Sequence, residues 1–160
     1  MHLRNTVHGR NRPTVGCWRE PEREIVMSNR LQSRRILVVE DETLLAVTIE
    51  EILQDLGCVV VGPVGRLDAA LRSATNDSLD AAVLDISIRG GMVFPVAEKL
   101  LARGIPFVFA SGYGEWALPE RFADRLRVAK PFTVRELEAA VGLLFTRPVA
   151  AEPDPGAQRH

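Results

Sequence analysis

Lysine is scarce in this chain of 160 residues, because only Lys99 and Lys130 carry an ammonium group and the other strong bases are arginine. Few positions are therefore available for a role that needs a compact, flexible positive charge rather than a planar guanidinium. The formal net charge is −1, with acids and bases interspersed. These totals give no indication of binding to nucleic acid or to an anionic membrane.

Cysteine is also rare, and its spacing excludes a metal-binding or redox motif, since Cys17 and Cys58 lie far apart. Cys58 opens an apolar run and is interpreted as a buried strand residue, whereas Cys17 has no assignment. No apolar stretch approaches the ~20 residues needed to span a bilayer, and the first residues lack the apolar middle of a secretory signal. We therefore expect reduced thiols in a soluble, cytoplasmic protein.

The two ends of the chain lack the patterns of a folded domain. Residues 1–33 are rich in Arg, Asn, Glu, Pro and Gly without a sustained period, which predicts a flexible N-terminal extension. Met27 offers an alternative start, and a genuine interaction arm is the other interpretation. Residues 148–160 contain several Pro and Gly residues and are predicted to be a disordered tail. Residues 34–147 remain as one domain of ordinary size.

Strand and helix patterns alternate through this domain. The five apolar runs that predict strands are Ile36–Val39, Cys58–Val64, Ala81–Leu84, Phe107–Ala110 and Leu126–Ala129. Apolar residues at helical spacing follow four of these runs; the first helix should end at Gly57, and the last should begin with a capping box of Thr133 and Glu136. The segment after the fourth run has little helical period, so we expect its helix to be short or irregular.

The continuous character of the apolar runs indicates strands that are covered on both faces, and β-α-β order requires right-handed parallel crossovers. The predicted fold is an α/β doubly wound five-stranded parallel sheet of the flavodoxin-like type. Its expected strand order is 2-1-3-4-5, which places the switch point between strands one and three.

Polar residues that can carry chemistry follow four of the predicted strands. They are Glu40 and Asp41 after the first, Asp85 after the third, Ser111 after the fourth and Lys130 after the fifth. Ligands of open parallel sheets bind outside the carboxyl ends of the strands, so these side chains should converge. Crowded carboxylates repel one another, and a hard divalent cation with oxygen ligands relieves that repulsion. The pattern therefore favours a Mg²⁺-dependent phosphoryl acceptor.

These strand ends also resemble the motifs of a response regulator receiver domain. The four motifs are Val38-Val39-Glu40-Asp41-Glu42, Val83-Leu84-Asp85, Phe109-Ala110-Ser111-Gly112 and Ala129-Lys130-Pro131-Phe132. Each is weak alone, but their order along essentially the whole domain is specific. The stretch from Pro106 to Gly114 further resembles a single-domain subgroup with a Phe-Ala-Thr-Gly-Tyr signature, in which Ser111 replaces the Thr.

The resemblance implies a role for each residue at the phosphoryl site. Asp85 would be the phosphoacceptor, taking a phosphoryl group from a sensor histidine kinase or phosphotransfer protein. Lys130 would reach the phosphoryl oxygens, and Ser111 would hydrogen-bond the group after transfer. Pro131 is expected to form a cis bond with Lys130.

A Mg²⁺ site is implied by the same resemblance. Asp41 and Asp85 would be ligands with the main-chain carbonyl of Ser87, and Glu40 would act beside them, through water. Family members usually carry Asp at the Glu40 position. Glu42 is interpreted as an acid that favours the start of a helix rather than as a ligand.

Two departures from the family concern signalling. Arg127 occupies the position where many receivers carry an aromatic residue that changes rotamer, so that switch is not expected here. Tyr113 and Trp116 lie in a Gly-rich loop that we hypothesise to be the output surface; packing beneath the loop is the alternative.

The predicted function is that of a single-domain response regulator in a two-component phosphorelay, a phosphoprotein rather than an enzyme. Nothing after Phe145 is long enough for an effector, so output would pass to a downstream protein partner, without contact to nucleic acid or membrane. One alternative is a receiver-like binding module that is never phosphorylated. Another is an aspartyl-phosphate hydrolase, although such enzymes usually carry a second Asp where this chain has Ser87. A flavodoxin-type cofactor binder would need a Ser/Thr-rich phosphate loop after strand one.

Overall fold

The computed structural model describes residues 30–112 and 118–146. The strands are β1 Arg35–Val39, β2 Val59–Val64, β3 Ala81–Asp85, β4 Ser87–Ile88, β5 Gly91–Met92, β6 Phe107–Ser111 and β7 Leu126–Ala129. The helices are α1 Thr43–Asp55, α2 Leu67–Asn76, α3 Phe94–Ala102 and α4 Val134–Leu144, with a 3₁₀ helix at Glu120–Phe122. Within these ranges no helix combines the length and apolar character needed to cross a bilayer.

Five of the strands form one parallel sheet in the order β2-β1-β3-β6-β7. The other two, β4 and β5, pair with each other as a short antiparallel ribbon. When the ribbon strands are left out of the count, the order is 2-1-3-4-5. The predicted doubly wound, flavodoxin-like fold is therefore confirmed.

The central strand β3 shows why the apolar runs are continuous. All of its residues are buried, and alternate side chains enter two different cores. Ala82 and Leu84 pack in the core beneath α2 and α3, whereas Ala81 and Val83 pack in the core beneath α1 and α4. A strand covered on both faces has no polar side, so its sequence does not alternate.

Strand β2 differs from the expectation of burial on both faces, because it lies at the edge of the sheet beside β1 alone. Val59 is 43% exposed, although its neighbours are as apolar as those of β3. Cys58, just before this strand, is buried as predicted, and its thiol donates to the carbonyl of Leu31 at 3.5 Å. Burial raises the pKa of this thiol to about 11.

Two predicted helix ends are present. Gly57 follows α1 with a φ of 83°, a left-handed conformation that favours glycine. At the start of α4, the Glu136 main-chain N–H donates to the Thr133 hydroxyl at 3.2 Å, and the Thr133 main-chain N–H donates to the Glu136 carboxylate at 2.7 Å. This reciprocal pair is the predicted capping box.

The domain begins slightly earlier than the predicted boundary at residues 33 and 34. Leu31 is 1% exposed and belongs to the core beneath α1 and α4. A single apolar residue among polar neighbours produces no periodic signal, so the sequence gives no indication of this packing. The remainder of the predicted extension, the tail from residue 148, and Tyr113 and Trp116 of the hypothesised output loop lie outside the described residues.

The connection between β6 and β7 is the segment for which the sequence predicts a short or irregular helix, and the structure agrees with that expectation. Its described part, from Leu118 onward, contains the 3₁₀ helix Glu120–Phe122 and no α-helix. Phe122 is fully buried and stacks on Phe94 of α3, with ring centroids 5.7 Å apart. This packing attaches the connection to the core in place of a longer helix.

Candidate functional site

Three carboxylates meet at the carboxyl end of the sheet, where β1 and β3 lie side by side. The register pairs Val39 of β1 with Leu84 of β3, so the residues that follow these two positions emerge at the same edge. Carboxylate oxygens of Glu40, Asp41 and Asp85 lie within 4.8 Å of one another. Glu40 and Asp85 are buried, at 3% and 5% exposure, whereas Asp41 is half-buried. The strand order therefore brings together the acids that the sequence analysis selected.

Lys130 approaches this cluster from β7, although β6 separates β7 from β3. Its Nζ lies 2.7 Å from Glu40 Oε2 and 2.9 Å from Asp85 Oδ2. The Lys130 side chain is only 18% exposed, so most of its methylene stem is covered. One ammonium group thus bridges two buried carboxylates that lie at the carboxyl ends of different strands.

The charges in this cluster do not balance. Burial raises the pKa of Glu40, and the nearby Asp85 carboxylate adds to that effect, while hydrogen bonds from Lys130 and from the Glu42 main chain oppose it. Burial acts to lower the pKa of Lys130, but its hydrogen bonds with Glu40 and Asp85 outweigh burial, and its pKa is raised. Two carboxylates ~5 Å apart repel by roughly 3 kcal/mol at an effective dielectric of about 20. Because the cluster combines three carboxylates with one ammonium, its formal net charge is negative.

The donor atoms fit a hard divalent cation such as Mg²⁺, which prefers oxygen ligands and needs only a few from protein. Both oxygens of Glu40 are engaged, since Oε1 accepts from the Glu42 main-chain N–H at 3.0 Å and Oε2 pairs with Lys130. The carboxylate of Asp41 accepts no hydrogen bond from any of the described residues. This difference favours Asp41 as a direct ligand and Glu40 as a group that acts beside the ion.

The remaining predicted residues surround the cluster. Ser87 begins β4, and its main-chain N–H lies 3.4 Å from Asp85 Oδ1. Ser111 ends β6, directly after Ala110, which pairs with Asp85 in the sheet. The main-chain N–H of Lys130 donates to the Ser111 carbonyl at 2.7 Å, which ties these two strand ends together. The ligand role of the Ser87 carbonyl and the phosphoryl contact of Ser111 stay predictions.

Three further expectations concern residues near this edge. The bond between Lys130 and Pro131 is cis, as the family resemblance implied. Glu42 is exposed at the N-cap of α1 and stands outside the carboxylate cluster, in agreement with its interpretation as a helix-start acid. Arg127 is exposed on β7, where its guanidinium lies 3.5 Å from the Ala123 carbonyl.

Sequence reasoning missed two residues that contact the acidic loop after β1. Gly65, in the loop after β2, lies so close that a Cβ there would be 3.0 Å from Asp41 Cα and 3.2 Å from the Glu40 carbonyl. Arg89, in the turn between β4 and β5, donates from its guanidinium to the Asp41 carbonyl at 3.3 Å. Both line a cavity of about 310 Å³ that opens beside Glu40 and Asp41. The glycine after an apolar strand was the one available sequence signal.

Known proteins similar to this chain share the fold and the domain type. No protein-family model matches the chain. The structure of SdrG from Sphingomonas melonis is 42% identical, with a TM-score of 0.64, and the match covers 71% of this chain and 97% of SdrG. The BeF3-activated conformation of SdrG matches with 44% identity, a TM-score of 0.58 and coverage of 69% and 95%.

Two more distant relatives extend the comparison. A response regulator receiver protein from Sinorhizobium medicae is 26% identical, with a TM-score of 0.61, over 72% of this chain and 97% of that protein. PdtaR of Mycobacterium tuberculosis, a transcriptional regulatory protein, is 28% identical over 118 residues, which are 71% of this chain and 58% of PdtaR. The chain thus spans somewhat more than half the length of this curated relative. The identity with SdrG over nearly its whole length shows that this chain belongs to the response regulator receiver family.

Proposed function

We propose that this chain is a cytoplasmic, single-domain response regulator that accepts a phosphoryl group on Asp85 in a Mg²⁺-dependent two-component phosphorelay. The donor would be a phosphohistidine of a sensor histidine kinase or of a phosphotransfer protein. The observation that carries the proposal is the bridge from Lys130 to Asp85 beside the carboxylates of Glu40 and Asp41. The similarity to SdrG, which has a BeF3-activated conformation, supports it.

The transfer itself is a substitution at phosphorus. A carboxylate oxygen of Asp85 attacks the phosphorus of the phosphohistidine in line, an O–P bond forms, and the P–N bond breaks with its electron pair left on the imidazole nitrogen. The product is an acyl phosphate on Asp85. Because little covalent chemistry falls to the protein, catalysis consists mainly of positioning and charge neutralisation.

The chain's own residues supply most of these functions. Lys130 already contacts Asp85 Oδ2, so its ammonium can follow the oxygen as negative charge moves onto the phosphoryl group. Ser111, which ends the neighbouring strand, would donate its hydroxyl to the phosphoryl group after transfer. When bound, Mg²⁺ would neutralise phosphoryl charge and would be held by Asp41 and Asp85, with Glu40 beside it and the Ser87 carbonyl as a further oxygen.

Signal output is proposed to occur by contact with another protein. The match covers nearly all of SdrG, which supports a second protein as the proposed partner. Movement of Ser111 towards the phosphoryl group, which would pull its loop inward, would report the modification to that partner. The proposed role is therefore that of a regulatory phosphoprotein and not of an enzyme.

The direct test is incubation with acetyl phosphate and Mg²⁺, followed by intact mass spectrometry of the wild type and the Asp85→Asn variant. A gain of one phosphoryl mass that EDTA prevents and Asp85→Asn abolishes supports the proposal. Asp124→Asn, which removes an exposed acid outside the cluster, should be modified like the wild type. No adduct would favour the binding-module alternative, and continuous turnover of phosphate esters would favour the hydrolase.

A further inference from the structure

The turn after the acceptor strand places Arg89 at a defined position. Ser87 pairs with Met92 and Ile88 pairs with Gly91, so the residue that follows Ile88 stands at the tip of the β4–β5 ribbon. The base of the ribbon is closed by a hydrogen bond from the Val93 N–H to the Ile86 carbonyl at 2.9 Å. The ribbon is therefore anchored at Ile86, the residue that directly follows Asp85.

The same tip is attached to the start of helix α2. The main-chain N–H of Leu67 donates to the Arg89 carbonyl at 2.9 Å, and Arg66 and Arg89 form an isolated parallel bridge. The Leu67 side chain covers the tip so closely that a Cβ on Gly90 would lie 3.3 Å from Leu67 Cβ. The backbone of Arg89 is thus held both by the ribbon and by the start of α2, so the point from which its side chain extends is fixed.

The Arg89 guanidinium donates a hydrogen bond to the Asp41 main-chain carbonyl at 3.3 Å. Asp41 belongs to the loop after β1 and Arg89 to the turn between β4 and β5, so the hydrogen bond connects the segment that follows β1 with the segment that follows Asp85. Gly65 approaches the same residue from the loop after β2, close to Asp41 Cα. The backbone of Asp41 is therefore held by two neighbouring loops.

The geometry points to Arg89 as a positioning residue for the cation site. Its guanidinium orients the β1 loop so that the Asp41 carboxylate, which has no hydrogen-bond donor among the described residues, stays directed at the oxygens of Asp85. This inference rests on the proposed Mg²⁺ site and adds a residue that lies outside the set of ligands. Arginine suits the role, because a guanidinium stays charged and is more weakly hydrated than an ammonium.

Arg89 should affect Mg²⁺ affinity in two opposite ways, so the direction of the measured change tests the inference. The hydrogen bond to Asp41 should strengthen Mg²⁺ binding by keeping a ligand in place. The positive charge beside the cavity should weaken Mg²⁺ binding by repulsion, and added salt screens that repulsion. A positioning role requires that the first effect is the larger one.

The experiment is isothermal titration of Mg²⁺ into the full chain at low and high salt. Arg89→Ala should weaken Mg²⁺ binding by about threefold to tenfold, the effect of losing one hydrogen bond. Arg89→Lys should recover part of that loss, because it keeps a charged donor. Arg72→Ala removes another exposed guanidinium, which pairs with Asp68 on α2, and should leave Mg²⁺ affinity unchanged.

A second measurement separates positioning from general damage. In Arg89→Ala the Mg²⁺ concentration that gives half-maximal phosphorylation by acetyl phosphate should rise, while the rate at saturating Mg²⁺ should stay within about twofold of the wild type, because the acceptor itself is intact. The thermal midpoint without Mg²⁺ should not change. If Arg89→Ala fails to fold, the Mg²⁺ titration of Arg89→Lys decides. Binding weaker than that of the wild type supports the positioning role, and unchanged or tighter binding overturns it.

The outcomes distinguish this inference from the proposed function. Tighter or unchanged Mg²⁺ binding in Arg89→Ala overturns the positioning role while the receiver mechanism stands. A wild-type chain that binds no Mg²⁺ overturns both. An equal loss of Mg²⁺ affinity in Arg72→Ala would show that the loss does not depend on the contact with Asp41, and would also overturn the inference.

Discussion

The ammonium of Lys130 lies 2.9 Å from Asp85 Oδ2, although strand β6 separates β3, which ends at Asp85, from β7, which Lys130 follows. The same nitrogen lies 2.7 Å from Oε2 of Glu40, which follows β1. The side chain therefore crosses the carboxyl edge of the sheet and is the cation that balances part of the acidic cluster. Its removal should affect stability, Mg²⁺ affinity and phosphorylation in different directions.

Lys130→Ala should reduce the stability of the Mg²⁺-free protein by about 1–3 kcal/mol, because buried carboxylates of Glu40 and Asp85 lose their partner. The same variant should bind Mg²⁺ more tightly, since a competing positive charge is gone. Its phosphorylation rate should fall by about 10²-fold or more, because a group that stabilises the transferring phosphoryl is lost. Urea unfolding, Mg²⁺ titration and acetyl phosphate kinetics measure the three effects.

Lys99 on α3 is the matched control, because it is exposed and is the other lysine of the chain. Lys99→Ala should behave like the wild type in all three measurements. Normal phosphorylation of Lys130→Ala would contradict the role that we assign to the ammonium.

The three acids after β1 should contribute unequally to Mg²⁺ binding. Asp41→Asn should weaken the affinity by more than about tenfold, since its carboxylate accepts no hydrogen bond within the described part of the chain and can ligate a divalent cation. Glu40→Gln should have a smaller effect, because both Glu40 oxygens already have partners in the protein. Glu42→Gln, at the exposed start of α1, should change little, and calorimetric titration of the three variants would rank them. A larger loss in Glu42→Gln than in Asp41→Asn would contradict the assigned ligand set.

Gly65→Ala should displace the β1 loop, because the new methyl group would meet Asp41 Cα at 3.0 Å and the Glu40 carbonyl at 3.2 Å. Both of these atoms belong to the backbone, which cannot rotate away as the end of a side chain can. We expect weaker Mg²⁺ binding and slower phosphorylation. Gly104→Ala is the control: its φ of 67° makes the substitution strained, but no atom lies within 4 Å. It should cost about 1 kcal/mol of stability and leave Mg²⁺ affinity unchanged.

Cys58 should react slowly with thiol reagents while the protein is folded. Burial raises its pKa to about 11 from an ordinary value of 9.0, so the thiolate fraction is very small at neutral pH. The stabilising contribution of this group is complete below pH 9 and is lost as the pH rises towards 11. In a Cys17→Ser background, iodoacetamide at pH 8 should label the protein only after unfolding. Rapid labelling of the folded protein would contradict the buried placement.

Much of the fold follows from local pattern, because each element carries its own signals. The run from Ala81 to Leu84 indicates a strand buried on both faces, and Thr133 with Glu136 forms the capping box that its spacing predicts. What local pattern cannot reveal is position within the sheet. Val59 is apolar yet 43% exposed, because β2 is an edge strand, and edge position is decided by how the whole chain folds.

The candidate site, too, contains residues that the sequence predicts and a residue that it does not. Glu40, Asp41, Asp85 and Lys130 follow strands, so parallel topology alone predicts their convergence. Arg89 was missed because its contact with Asp41 depends on a ribbon of two-residue strands, too short to show a period of two. A hydrogen bond from a side chain to a distant carbonyl leaves no pattern in the sequence.

The most direct test of the central claim is chemical location of the acyl phosphate. After incubation with Mg²⁺ and acetyl phosphate, borohydride reduces an aspartyl phosphate to homoserine, which peptide mass spectrometry can place in the sequence. We predict homoserine at position 85 alone, and none when EDTA removes the Mg²⁺. Homoserine at another acid, or equal modification without Mg²⁺, would contradict the account.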